Sequence, residues 1–270
     1  MGNPIAVAVN GVMGRMGTHV LRLLFSDQDF NIIGGIEKKG HTSTGLDLGV
    51  ITSGKKSGLS IVDDPANIAG KIDCIIDFSL PASTLSILEF AIRKGVRMVI
   101  GTTGFPQSDV ERIKQAGNEI AIVMAPNMSV LVNLAYKLVE TAAKALGDNY
   151  DTEIVESHHK NKVDAPSGTT MKMAEIIAQA YNKPLKDIAR YERHGSIGPR
   201  PKGEIGIQTV RGGDIVGEHT VMFIGTGERL EIIHRATNRE NFAMGALIAA
   251  KWVVGKQPGM YNMIDVLGLE

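Results

Sequence analysis

The sequence predicts an α/β protein: a doubly wound parallel sheet, then a second α+β domain with a mixed sheet. Short Val- and Ile-rich runs alternate with helical patterns through the first half, and strands that are apolar throughout, separated by helices, indicate a parallel sheet covered on both faces. Further on, three strand-like runs follow one another with no helix between them, which calls for a different sheet. Thirty-one glycines against a single tryptophan suit a chain with many tight strand-to-helix turns.

In order, IAVAVN from Ile5 reads as the first strand, and Met16, Val20, Leu23 and Leu24 fall at helical spacing after it. FNIIGGIE closes a βαβ unit. The alternation continues through LSIV, IDCIIDFS, a helix near 83–94, VRMVIG, a helix near 107–117, and IAIVM. After Ala125 and Pro126 the texture changes. Leu131, Leu134, Ala135, Leu138, Val139, Ala142, Ala145 and Leu146 form one face of a long helix, and the strand DTEIVES follows. If that strand ran on, His158 and His159 would point to opposite faces. Asn161, Asp164 and Pro166 oppose further ladder pairing, so the strand is expected to stop and leave both imidazoles on a loop. A helix bearing Met173, Ala174, Ile177, Ala178 and Tyr181 comes next, then the Gly- and Pro-rich HGSIGPRPKG, then the strands EIGIQTVR, EHTVMFIG and RLEIIHR. The last helix, near 241–254, is apolar on much of its surface and is expected to pack back on the first domain. The expected domains are therefore 1–127 with 240–270, and 128–239.

At 270 residues the chain can bury a sizeable core. Twenty-nine basic side chains balance twenty-nine acidic ones, which removes the global electrostatic argument for nucleic acid or an anionic membrane as partner. The one cysteine cannot form an internal disulfide, and Cys74 within IDCIID reads as a small buried hydrophobe. MGNPIAVAVNGVMG lacks a basic segment followed by a long apolar one, and no run of ~18 apolar residues occurs. The expected location is the cytoplasm.

NGVMGRMG sets Gly11, Gly14 and Gly17 between a strand and a helix. Glycines there permit a tight turn and close approach of backbone to a pyrophosphate, while the helix N-terminus offers N–H groups to the anion. Met13 holds the place where a middle glycine is often found. Glu37, ~20 residues beyond the last glycine, is where an acid accepts hydrogen bonds from a ribose diol. Lys38 and Lys39 follow at once, where cations meet a 2′-phosphate. A Rossmann-like domain binding NADH, with NADPH tolerated, is the expectation. Gly101, Thr102 and Thr103 after VRMVI, with Ala125, Pro126, Asn127 and Met128 after IAIVM, lie at the carboxyl ends of parallel strands, the ligand edge of such a sheet.

ESHHKNKVDAPSGTT, residues 156–170, concentrates polar chemistry. Ser167 or Thr169 can cap a helix there, and the N–H groups of Gly168, Thr169 and Thr170 offer a seat for an anion. Lys160 and Lys162 add positive charge. A solvated basic loop is the plain alternative. No metal is expected: H-E-x-x-H is absent and Cys74 lies in a distant strand. Ser167 lacks the glycine that precedes the serine in a nucleophile elbow. His219 and His234, in strand candidates, read as satisfied or surface imidazoles.

E-x-H-H-x-x-K-x-D-A-P-S-G-T, with GxxGRMG, GTTGF, APNMS and VRGGDIVGEHTVMF, resembles the 4-hydroxy-tetrahydrodipicolinate (dihydrodipicolinate) reductase family over essentially the whole chain. That resemblance implies NAD(P)H-dependent reduction of a small cyclic dicarboxylate, an imine, in diaminopimelate and lysine biosynthesis. It implies His158 as proton donor or acceptor, Lys162 as proton donor, and His159, Gly168 and Thr169 as substrate contacts. The implied dinucleotide contacts are Gly11, Val12, Met13, Gly14, Arg15, Met16, Gly17, Glu37, Lys38, Gly101, Thr102, Thr103, Ala125, Pro126, Asn127 and Met128. A homotetramer built through the second domain's sheet is implied as well. A lysine follows the acid where some relatives have arginine, and Met128 stands where phenylalanine is common. Two other readings share the glycine loop: another Rossmann amino- or keto-acid dehydrogenase, and a non-catalytic NADH sensor.

Overall fold

The structure is a computed structural model that describes residues 3–269. It divides into two compact units, the first made of Met1–Val130 with Arg239–Glu270 and the second of Leu131–Asn238. The chain begins with β1 (Ile5–Asn10), α1 (Arg15–Leu24), β2 (Phe30–Ile36), α2 (Leu48–Ser53) and β3 (Ile61–Val62). It continues through β4 (Cys74–Asp77), α3 (Pro81–Lys94), β5 (Arg97–Ile100), α4 (Gln107–Ala116) and β6 (Ala121–Met124). The second unit holds α5 (Val130–Leu146), β7 (Asp151–His158), α6 (Gly168–Ala180), α7 (Leu185–Ile188), β8 (Ala189–Arg190), β9 (Ile205–Arg211), β10 (Gly217–Ile224) and β11 (Arg229–Ala236). The chain then returns to the first unit with α8 (Glu240–Val253), β12 (Gly259–Tyr261) and α9 (Met263–Leu267).

All seven strands of the first sheet run parallel, in the order β12-β6-β5-β4-β1-β2-β3. The two-residue period splits each strand between two cores. Val7, Val9, Cys74, Ile76, Val99 and Val123 pack with Val20, Leu21 and Leu24 of α1 and Ala243, Ala246 and Ala250 of α8. Ala8, Ile75, Met98, Ile100 and Ile122 pack with Ile87, Leu88 and Ala91 of α3 and Ile113 of α4 on the opposite side. Burial of both faces is why these strands carry Val and Ile at consecutive positions, and each fully buried Ile or Val side chain contributes ~1.5–3 kcal/mol. The α8 backbone comes close to the chain ahead of α5: a Cβ at Gly245 would strike Met128 O. Cys74 is fully buried in this core, and burial pushes its thiol up, away from reactivity.

The second sheet is mixed, in the order β11-β10-β7-β9-β8. β10 pairs antiparallel with β7 and β11, whereas β7 and β8 pair parallel with β9. One face lies under α5 and α6, where Val132, Tyr136, Val139, Met173 and Ile177 meet Ile154, Ile207, Val221 and Phe223. The alternation that points Ile154 and Val221 into this core also points Glu156, His158 and His219 inward, farther along the same face.

The expectation that β7 stops before His158 is corrected. His158 is the last residue of β7, in register with Arg211, and its carbonyl accepts from Gly212 N at 3.0 Å. The turn residues break pairing only after it, so His158 is buried while His159 is partly exposed on the turn.

Candidate active site

The first unit carries a glycine cradle at the point where its strand order reverses. Gly11 leaves β1 with φ +76°, and a Cβ there would lie 2.5 Å from Phe78 O at the end of β4. A Cβ at Gly17 would run into Gly11 O and come within 2.8 Å of Val12 Cα, so the first turn of α1 can lie against the loop only as glycine. Gly14, the N-cap of α1, has no side chain to cap with. Gly14 N donates to Gly11 O at 3.0 Å and Met13 N to Glu37 Oε1 at 2.9 Å. The amides of Arg15, Met16 and Gly17 then open the helix toward an anion. Val12 is fully buried, so only its backbone can face a ligand.

Glu37 follows β2 directly and is pinned beside the cradle. Its second oxygen accepts from Lys38 N at 3.3 Å, and Lys38 and Lys39 are exposed. A carboxylate fixed next to the loop suits a ribose diol, and the donor set fits a dinucleotide.

Sequence reasoning missed a polar knot at this edge. Asp77, fully buried at the end of β4, accepts from Asn10 Nδ2 at 2.6 Å, Ser79 Oγ at 2.6 Å, Thr84 Oγ1 at 2.6 Å and Thr102 Oγ1 at 2.8 Å. Burial pushes its carboxyl up against the pull of these four donors. Thr102 Oγ1 also accepts from Ser79 N at 2.8 Å, so its hydroxyl is committed internally, whereas Thr103 is exposed. A Cβ at Gly101 would collide with the Phe78 ring. Of the other segment, Pro126 is exposed, Ala125 and Met128 are packed into the core, and Asn127 Oδ1 accepts from Ser129 N at 2.9 Å.

In the second unit the polar residues converge on Glu156. This carboxylate is fully buried and hydrogen-bonds His158 Nδ1. Arg211 grips it twice, Nη1 to Oε2 at 3.0 Å and Nη2 to Oε1 at 2.8 Å. Thr209 Oγ1 and Ser167 N also donate to Oε1, at 3.2 and 3.3 Å. Arg211 and His158 together hold the carboxyl below its ordinary value in spite of burial. Burial depresses His158, with Glu156 pulling the other way. A Cβ at Gly217 would lie 3.0 Å from His158 Nε2, so glycine there leaves room for the ring.

Lys162 Nζ donates to both oxygens of Asp164, at 2.8 Å each, on the turn that follows. Ser167 caps α6 by accepting from Thr170 N at 3.2 Å. That removes Thr170 from the expected anion seat and leaves Gly168 and Thr169 as its candidates. Tyr136 of α5 hydrogen-bonds Thr169.

His219 and His234 are not the satisfied or surface imidazoles the sequence suggested. Both are buried, and they are direct partners across β10 and β11, with ring centroids 6.2 Å apart. His219 stands edge-on to His158 at 5.3 Å, and its Nε2 is 3.1 Å from Ser167 Oγ. The two Nδ1 atoms and Arg211 Nε have no hydrogen-bond partner, three of the five such buried side-chain atoms among the described residues. All three side chains lie on the face of the sheet that carries Glu156 and His158, and buried polar groups without a partner call for an explanation other than packing. Period-two spacing was the available signal, since His219, Val221 and Phe223 alternate onto one face. Among the described residues no group of three or more His, Cys, Asp or Glu is placed to hold a metal ion.

Two family models match in tandem: "Dihydrodipicolinate reductase, N-terminus" over residues 5–128 and "Dihydrodipicolinate reductase, C-terminus" over 131–267. The chain belongs to the dihydrodipicolinate reductase family. The C-terminal model of the family runs on through α8, which packs in the first compact unit. Family members named 4-hydroxy-tetrahydrodipicolinate reductase include one from Anaeromyxobacter dehalogenans, 47% identical over 97% of each chain. One from Chromohalobacter salexigens is 48% identical over 98% of each. Among solved structures, a dipicolinate-bound dihydrodipicolinate reductase from Paenisporosarcina sp. has a TM-score of 0.76 at 22% identity, covering 97% of this chain and 98% of its own. That likeness shows the fold.

Proposed function

We propose that this protein is the reductase its relatives are named for. It reduces the cyclic imine derived from 4-hydroxy-tetrahydrodipicolinate to tetrahydrodipicolinate, in diaminopimelate and lysine biosynthesis. The observation that carries this is 44–48% identity along nearly the whole chain to proteins of that name. NADH or NADPH, when bound, supplies the hydride.

The first unit is the dinucleotide-binding domain. Its glycine cradle, with the amides of Arg15, Met16 and Gly17, receives the pyrophosphate, Glu37 the ribose diol, and Lys38 a 2′-phosphate where one is present. Gly101, Thr103 and the 125–128 segment serve the nicotinamide end. Thr102 acts through its backbone, because its hydroxyl belongs to Asp77.

The second unit binds substrate. Its two carboxylates need cations and N–H donors, which Lys162, His159 and the Gly168–Thr169 turn of α6 provide. The relative from Paenisporosarcina is described with dipicolinate, a ligand of that class. Hydride addition leaves an electron pair on carbon or nitrogen, and Lys162 Nζ or His158 Nε2 supplies the proton. General acids so placed raise rates ~10²–10⁴-fold.

Oligomerisation is proposed through the sheet of the second unit as a homotetramer. Val210 on β9 and Ile233 on β11 are exposed apolar side chains on the face of that sheet turned away from α5 and α6. The chain is proposed to work in the cytoplasm. Among the described residues no helix is long and apolar enough to cross a membrane.

The test follows loss of NADH or NADPH absorbance on adding freshly generated 4-hydroxy-tetrahydrodipicolinate, with mass measured by light scattering. Turnover supports the enzyme. Tight cofactor binding without turnover supports the NADH-sensor reading instead.

A further inference from the structure

Glu156 stands behind the proposed proton-handling group and is too deep to meet substrate. It is fully buried, yet it is the hub of five hydrogen bonds from four directions: His158 at the end of its own strand, Arg211 twice and Thr209 from β9, and the Ser167 amide at the start of α6. A buried carboxylate survives only when paired, and the bidentate Arg211 grip cancels its charge while fixing both oxygens. Arg211 Nη2 reaches further, donating to Asp164 O at 2.8 Å on the turn that carries Lys162. One carboxylate–guanidinium pair therefore ties together His158, the Lys162 turn and the residue before Gly168.

We infer that Glu156, held by Arg211, is a positioning residue for the reaction: it keeps the proton of neutral His158 on Nδ1, so that Nε2 is the nitrogen that exchanges a proton in the site. The inference rests on the proposed reductase reading of His158. With Nδ1 engaged by Glu156, a proton accepted at Nε2 creates an imidazolium whose charge is balanced by the carboxylate, and its release restores the starting tautomer. The groups facing His158 are Glu156 from β7, Arg211 from β9, His219 from β10 and Lys162 from the turn; His234 of β11 stands behind His219. Glu156 alone among them favours the protonated ring. Removing its charge therefore lowers the pH at which His158 titrates, a result that loss of packing does not produce.

The experiment compares the protein with Glu156→Gln, which preserves shape and removes charge. First, NADH turnover by the unaltered protein decides the reductase reading by itself. Given turnover, Glu156→Gln is expected to lower kcat by about 10-fold or more, leave the KM for NADH unchanged, and move the His-dependent limb of the kcat profile to lower pH by roughly one unit. A limb that stays in place, at whatever kcat, overturns the inference. Because the variant buries an unpaired Arg211, a second measurement uses the unaltered chain: nitrogen-15 NMR of the histidine rings, with His158 assigned from the spectrum of His158→Gln. Neutral His158 protonated on Nδ1 is the expected result, and protonation on Nε2 overturns the inference without reference to turnover.

Discussion

Lys162 and Asp164 form a closed pair: one ammonium nitrogen donates to both oxygens of a carboxylate two residues away, at 2.8 Å each. The Lys162 ammonium holds the Asp164 carboxyl below its usual range. The cation proposed to meet substrate thus has a local counter-charge, which a substrate carboxylate must replace or join. The Asp164 side chain is 57% exposed, and an ion pair that open to water contributes only ~0–1 kcal/mol. Lys162→Ala should therefore change the urea midpoint little and leave NADH binding intact. It should lower kcat by ~10²–10⁴. Equilibrium unfolding, fluorescence titration with NADH and steady-state kinetics separate the three effects.

Two glycines should respond oppositely to alanine. At Gly17 the new methyl meets Gly11 O and Val12 Cα, backbone atoms that cannot move aside, so Gly17→Ala should destabilise by ~1–3 kcal/mol and weaken NADH binding. At Gly168 a Cβ has nothing within 4 Å, and the residue already occupies the first turn of α6. Gly168→Ala should therefore keep full stability and raise only the KM for the dicarboxylate. Thermal melts and kinetics on both variants read the contrast.

Glu37→Ala removes the acceptor of Met13 N and, in the proposed arrangement, that of the ribose. Hydrogen bonds to a charged group contribute ~1.5–3 kcal/mol each, so the KM for NADH should rise by about 10- to 100-fold. NADPH, whose 2′-phosphate faces Lys38 in the proposed arrangement, should be affected less. Parallel titrations with the two cofactors check this.

Burial lowers His219 from its ordinary 6.5 to about 3. The unfolded chain binds this proton first as pH falls. The contribution of neutral His219 to stability is therefore complete above pH 6.5 and is lost progressively from 6.5 down toward 3. Between pH 6.5 and pH 5 the loss approaches ~2 kcal/mol. His219→Gln retains a partner for Ser167 without titrating and should flatten this part of the stability profile. His158 and His234, depressed in the same direction, leave a residual slope. Urea unfolding at a series of pH values measures it.

The parallel sheet was legible because burial on both faces writes itself as unbroken Val and Ile, and the glycine cradle because only glycine clears the backbone around Gly11 and Gly17. Ser167 was readable as one of two possible caps, but its capture of Thr170 N depends on where the chain turns into α6. His158 was misplaced by one strand position. Turn-forming residues downstream say where pairing must fail, and not where the partner strand still holds it, as β9 does at Arg211. The Asp77 knot and the Glu156 hub were hidden for another reason. Asn10, Asp77 and Thr102 come from separate strand ends, as Glu156, Arg211 and Ser167 come from separate elements, and only strand order brings them within reach. Once β10 is set antiparallel to β7, His219 faces Glu156, and the imidazole that looked incidental becomes part of the site.

Because α8 and β12 complete the first sheet and its core from beyond residue 238, the first unit holds all its parts only after the second has been made. Residues 131–238 are contiguous and can assemble their sheet as they leave the ribosome. The unit that begins first must wait. Until Ala243, Ala246, Leu247 and Ala250 emerge, α1 alone covers its side of the parallel sheet, and Ile76, Val99 and Val123 on β4, β5 and β6 lack the helix that packs on those strands. The segment that seals the first unit is made only after the whole of the second, so the core that starts earliest closes after residues 131–238 have been synthesised.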